Sequence, residues 1–153
     1  MQPIVFFVVM TLITGLVYPL AVTAIVQLAF PKQSNGSLIT HDGQIIGSEL
    51  IAQPFKNPKY FWPRPSASHY EAVPSAASNL GPSHPLFPKN LIQTTSASGL
   101  DPHITLEMAE KQIPRIAKAR KIKPKQFQAI LAQSKKPYIN VLLTNLELDL
   151  LSK

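Results

Sequence analysis

Residues 4–30, IVFFVVMTLITGLVYPLAVTAIVQLAF, carry no charged side chain. As a helix at ~1.5 Å per residue this run is roughly 40 Å long, enough to cross a ~30 Å hydrocarbon core with some tilt. A buried core helix is seldom so long or so uniformly apolar. A cleaved leader is the stronger rival, because Val22-Thr23-Ala24 resembles a small-residue cleavage site. Against it, no basic residue precedes the run, and apolar residues continue past Ala24. The reading is therefore a transmembrane helix over residues 1–31 and a domain over 32–153. Orientation does not follow from charge: Met1-Gln2-Pro3 has no Lys or Arg, and long domains are translocated despite their charge.

Within the span, Thr11, Thr14, Gly15, Tyr18 and Ala21 recur on adjacent turns. Small and weakly polar side chains let helices approach and hydrogen-bond in lipid, so these residues form a candidate helix-packing face. They are also common in spans for no such reason. Pro19 lacks an N–H and crowds the preceding turn, which predicts a kink.

All the charge lies beyond Phe30. Across the 153 residues, 15 Lys+Arg stand against 8 Asp+Glu, a formal net charge of +7. A basic domain suits acidic partners or anionic headgroups. The absence of cysteine excludes disulfides, thiolate metal sites and a Cys nucleophile. Most of the 15 prolines fall between Pro54 and Pro102, predicting a long irregular middle.

Leu38-Ile39 and Ile45-Ile46 flank His41-Asp42-Gly43, which reads as a β-hairpin. Tyr60, Phe61, Trp62, Pro63, Arg64 and Pro65 form an aromatic and proline-rich loop. Arg64 there either reaches a carboxylate or phosphate of a partner or is tied to local carbonyls. Asp101-Pro102 is a first candidate helix start and Thr105 a second. Leu106, Ala109, Ile113, Ile116 and Ala117 then form a buried stripe that Pro114 should break into two short helices. A further helix runs from Pro124 through Phe127, Ile130 and Leu131. Alternation from Val141 to Leu150 predicts a closing strand. The whole is α+β: one N-terminal transmembrane helix followed by a small, loop-rich domain.

Lys111, Arg115, Lys118, Arg120, Lys121, Lys123 and Lys125 make the most basic stretch. It reads either as a solvated helix face or as a surface for an acidic partner or lipid headgroups; a membrane anchor and the lack of a recognised motif argue against nucleic acid. His41, His69, His84 and His103 lack metal-ligand spacing, so no metal site is assigned. His103 beside Asp101 suggests acid–base work, but a capped helix start accounts for the pair. No nucleophile elbow, Gly-rich phosphate loop or dinucleotide fingerprint occurs, so no catalytic residue is assigned. The Asp-Lys-Thr-Gly-Thr segment phosphorylated in P-type pumps is also missing.

Taken in order, several segments resemble the KdpC family, the C subunits of bacterial potassium-importing P-type ATPases. They are Thr11, Thr14, Gly15, Tyr18, Pro19 and Thr23 in the span; Asn35-Gly36-Ser37; and Gly47-Ser48-Glu49-Leu50-Ile51-Ala52-Gln53, where the family usually has Gly for Ala52. Tyr60-Phe61-Trp62 with Arg64-Pro65-Ser66, Ser78-Asn79-Leu80-Gly81-Pro82-Ser83 and Ser98-Gly99-Leu100-Asp101-Pro102-His103-Ile104 follow. Gln112-Ile113-Pro114-Arg115-Ile116-Ala117 and Asn140-Val141-Leu142 with Asn145-Leu146 complete the series. The family has a longer stretch between the segments matched at Pro85 and Ser98, and a longer connection after the helix near Phe127.

The resemblance implies a single-pass protein of the bacterial inner membrane with its domain on the extracytoplasmic side. It implies a channel-like potassium-translocating subunit, an ATP-hydrolysing subunit and a small fourth subunit as partners. ATP and potassium then concern this chain only through the complex, and catalysis resides elsewhere. The implied role is either to raise the ATP affinity of the pump subunit or to support assembly and the admission of ions. An external domain cannot touch cytoplasmic ATP, so the first role has to act through the span or subunit conformation. Tyr60, Trp62, Arg64, Lys111, Arg115, Lys118 and Arg120 are the candidate partner contacts. The alternative is a membrane-tethered binding module for anionic lipid or ligand.

Overall fold

The computed structural model describes residues 2–87, 94–133 and 136–150. The chain divides into two compact units, Met1–Ile39 and Thr40–Lys153.

The first unit is dominated by an apolar helix, Gln2–Ala29, long enough to cross a membrane and with none of its apolar window buried. It comprises α1 (Gln2–Leu12), a π-helical turn (Ile13–Val17) and α2 (Tyr18–Ala29). The Tyr18 N–H bonds back to the Ile13 carbonyl, five residues earlier. The irregularity expected at Pro19 thus takes the form of a wider turn just before it. Such a turn relieves the clash a proline imposes on the carbonyl four residues behind. Thr14 and Thr23 return their hydroxyls to the Met10 and Pro19 carbonyls, each at 2.8 Å, which satisfies both without water. A short helix α3 (Pro31–Ser34) follows, and Asn35 Nδ2 donates to the Pro31 carbonyl at 2.7 Å.

Strands β1 (Leu38–His41) and β2 (Gln44–Ser48) pair in a two-stranded sheet. The turn between them has positive φ at both Asp42 (50°) and Gly43 (76°), the conformation that Asp-Gly favours in a hairpin. The expected hairpin is present.

The second unit also contains β3 (His103–Thr105), α4 (Leu106–Arg120), α5 (Pro124–Gln133), β4 (Tyr138–Asn140) and α6 (Val141–Leu150). β3 and β4 run antiparallel with Ile104 opposite Ile139. Ile104, Met108, Ala109, Ile116, Phe127, Ile139, Val141, Leu148 and Phe61 meet in one core. The described residues are thus α+β, as expected, but three local readings are corrected.

Helix α4 starts at Thr105, whose Oγ1 accepts from Met108 N at 3.2 Å. Asp101 instead caps a turn into β3, accepting from His103 N at 2.9 Å. Pro114 does not split α4, which continues through it. Pro114 and Glu110 both lie on the exposed face, so the carbonyl that loses its partner is open to water, while Ile113 and Ile116 stay packed. Residues 141–150 are a helix rather than a strand. Val141, Leu142, Asn145 and Leu148 are buried at helical spacing, and Asn140 Oδ1 caps the start by accepting from Leu143 N at 3.2 Å.

Candidate functional site

The aromatic loop is held by two buried amides that come from distant helices. Asn145 on α6 accepts from Phe61 N at 2.7 Å and donates to Phe61 O at 3.0 Å. Gln112 on α4 accepts from Trp62 N at 2.8 Å and donates to Trp62 O at 3.1 Å. Each side chain does for one loop residue what a neighbouring strand would do, satisfying both backbone groups where water is excluded. The Phe61 ring then enters the core, whereas Trp62 faces out with 39% of its surface exposed.

Arginines bind the rest of the loop. Arg115 stacks its guanidinium 3.7 Å from the Trp62 ring centre, donates to the Pro58 carbonyl at 2.7 Å, and to Gln112 Oε1 at the same distance. Burial draws its pKa down from the ordinary value. Arg120, with a side chain 5% exposed, donates to the Lys59 and Leu148 carbonyls and to Asp149 Oδ1 at 2.7 Å. Tyr60 donates its hydroxyl to the other Asp149 oxygen at 2.8 Å. The loop, α4 and α6 are thereby joined around one carboxylate.

Arg64 sits beyond this clasp, formed by Tyr60, Phe61 and Trp62 with Gln112, Arg115, Arg120, Asn145 and Asp149. It donates to the Thr94 and Thr95 carbonyls at 3.2 and 2.9 Å and pairs with Asp101 Oδ2 at 3.3 Å. Of the two readings offered by the sequence, local carbonyls hold it here, joined by a carboxylate from the Ser98–Ile104 segment. Residues 96–99 pack against residues 65–76: Ser96 N donates to Pro65 O, and Gly99 has φ +74°. A Cβ on Gly99 would meet Ser68 Oγ at 2.5 Å and the Ala76 carbonyl at 2.8 Å, so only glycine fits. Tyr70 donates to Arg64 O at 2.9 Å, and burial raises its phenol pKa.

The structure therefore brings Tyr60, Trp62, Arg115 and Arg120 together, places Arg64 at a second centre, and leaves Lys118 exposed on α4. Lys111 pairs with Glu107 one turn away. The side chain of Lys125 lies outside the described residues. In the span, Thr11, Thr14, Gly15, Tyr18 and Ala21 are all exposed, and a Cβ on Gly15 would meet nothing within 4 Å. Among the described residues, no group of three His, Asp or Glu side chains could hold a metal ion.

Residue-type reasoning missed Gln112 and Asn145 as the residues that build the site. Their signal was present: each is an amide interrupting an apolar stripe at helical spacing, Ala109-Gln112-Ile113-Ile116 and Val141-Asn145-Leu148. Buried amides need partners, so such an interruption marks a segment elsewhere that lacks backbone bonds.

The profile of the KdpC family, described as the K+-transporting ATPase c chain, matches residues 1–93 and 86–150. A potassium-transporting ATPase KdpC subunit from Pseudomonas putida is 44% identical over 168 aligned positions, covering 94% of this chain and 91% of the relative. KdpC subunits from Sorangium cellulosum and Geotalea uraniireducens are 40% and 42% identical over 180 and 183 positions, covering 95% and 98% of this chain and 94% and 96% of theirs. The alignments are longer than the 153 residues of the chain, so it omits residues that these relatives carry, and the profile matches in two pieces that overlap at residues 86–93. With nearly every residue of both units matched, the chain belongs to the KdpC family of K+-transporting ATPase c chains.

Proposed function

We propose that this chain is the non-catalytic accessory subunit of an ATP-driven potassium import complex in the bacterial inner membrane. The observation that supports it most is the 40–44% identity, over about 95% of the chain, to proteins named KdpC subunit. In this reading the span lies in the bilayer and packs Thr11, Thr14, Gly15, Tyr18 and Ala21 against helices of a channel-like subunit. Open space around Gly15 suits close helix approach. The domain lies on the extracytoplasmic side, and ATP hydrolysis belongs to another subunit. The role is assembly and the admission of ions, because an external domain affects cytoplasmic ATP only through the span or partner conformation.

The clasp gives the domain a firm face. Trp62 is its exposed ring, stacked on Arg115, with Tyr60 and Arg120 joined to Asp149 beside it, while Lys111 and Lys118 on α4 and Arg64 at the second centre complete the candidate contacts. Aromatic and Arg side chains fixed in advance lose little entropy on docking. The test is a detergent pull-down from potassium-starved cells followed by ATPase assay with and without this chain. Co-purification of two larger membrane subunits and loss of potassium-stimulated turnover without the chain is the expected result. Full complex and full turnover in its absence would refute the role.

A further inference from the structure

A cavity of about 440 Å³ opens beside Arg64, walled by Ile104, Met108, His103 and Tyr138 with Asp101 at its edge. That is within the ~300–1,000 Å³ range of small-ligand sites. Its wall is largely apolar. Ile104 and Met108 are buried core residues, and the His103 and Tyr138 rings meet edge-on with centres 4.8 Å apart. The polar end is a guanidinium already fixed in place. Nε, Nη1 and Nη2 of Arg64 each make one bond, to Thr94, Asp101 and Thr95. Arginine has five N–H donors, so two remain without a partner among the described residues.

We infer that this cavity binds a small anionic amphiphile, with its oxyanion on the two remaining Arg64 donors and its apolar body against Ile104, Met108 and Tyr138. Asp101 makes the assignment testable, since its carboxylate opposes an anion bound at Arg64 yet its Oδ1 also accepts from His103 N. Asp101→Asn keeps that oxygen and removes the charge. The site is separate from the clasp and does not depend on the proposed role in potassium import.

The chain has three methionines, and Met108 is the only one in the second unit. The full chain, with 13C-labelled methionine methyls and in phosphatidylcholine nanodiscs, is titrated with octanoate and separately with octylammonium. Octanoate should shift the Met108 methyl saturably, whereas any shift of Met10, in the span, should follow partition into lipid and not saturate. Asp101→Asn should tighten octanoate about threefold, and Arg64→Gln should weaken it about tenfold. Octylammonium should bind less well, and less well again to Asp101→Asn. If Arg64→Gln loses its fold, seen as a displaced Met108 signal before any titration, Asp101→Asn decides alone. A Met108 methyl that ignores octanoate, equal responses to both amphiphiles, or no gain in Asp101→Asn would each overturn the proposal. Discs containing phosphatidylglycerol separate the sources: a Met108 signal already shifted there points to a bilayer lipid, and an unshifted one that still responds to octanoate points to a free carboxylate.

Discussion

The span and the domain answer the same problem, unpaired polar groups and exposed apolar surface, in opposite ways. Along Gln2–Ala29 the large apolar side chains face outward and the hydroxyls of Thr14 and Thr23 are turned back on their own helix. In the domain, Phe61 and Phe127 are buried, and side-chain amides reach across long stretches of chain to satisfy a loop. The first solution suits a solvent without hydrogen bonds, and the second suits water outside a dry core. The comparison implies that single substitutions should damage the domain by unfolding it and the span only by spoiling association.

The largest expected effect is at Asn145. Asn145→Ala leaves the N–H and C=O of Phe61 unpaired in the core and should cost about 3 kcal/mol, read from chemical denaturation of the full chain. Asn145→Leu keeps the side-chain volume without the pairing and should be as damaging; recovery in that variant would mean that packing, not pairing, holds the loop. Gly99→Ala should cost about 2 kcal/mol, because it meets both a strained φ and the Ser68 and Ala76 oxygens. Its counterpart Gly15→Leu should leave domain stability within about 0.5 kcal/mol, since it touches nothing in this chain. The same variant should co-purify less well with partner subunits, and normal co-purification would count against the helix face.

A smaller effect is expected at high pH. The Tyr70 phenol is held above the ordinary value of a tyrosine by burial. The folded state thus keeps a proton that the unfolded chain gives up. The resulting stabilisation is complete below the unfolded value and is lost as pH climbs through the folded one. Thermal melts should fall above about pH 10, and Tyr70→Phe should flatten that part of the profile. An unchanged slope would place the alkaline sensitivity elsewhere.

What the sequence disclosed was local. The uncharged run, the Asp42-Gly43 turn, the Thr105 cap and the Phe127 helix each follow from neighbours within one or two turns. The tail misled because Leu146, Leu148 and Leu150 alternate with acids, while the helical set Val141, Leu142, Asn145 and Leu148 overlaps them. Pro114 misled because its cost depends on which face of α4 meets water, and that is decided by packing. The clasp was hidden for a different reason: Asn145 lies 84 positions from Phe61 and Gln112 lies 50 from Trp62. No window of sequence holds both halves. The order of motifs along the chain pointed to the family, whereas the chemistry of the loop had to be seen folded.

The wide turn at Ile13–Val17 has an effect on geometry further along. A bond from Tyr18 N to Ile13 O takes one more residue to complete its circuit than an α-helical bond does. One residue corresponds to about 100° of rotation. The half of the span after the turn is therefore out of phase with the half before it. Thr11 and Thr14 point along one azimuth while Tyr18 and Ala21 are swung to another. A straight neighbour cannot follow both, so the span is suited either to a steeply crossing helix or to two neighbours gripped at different depths.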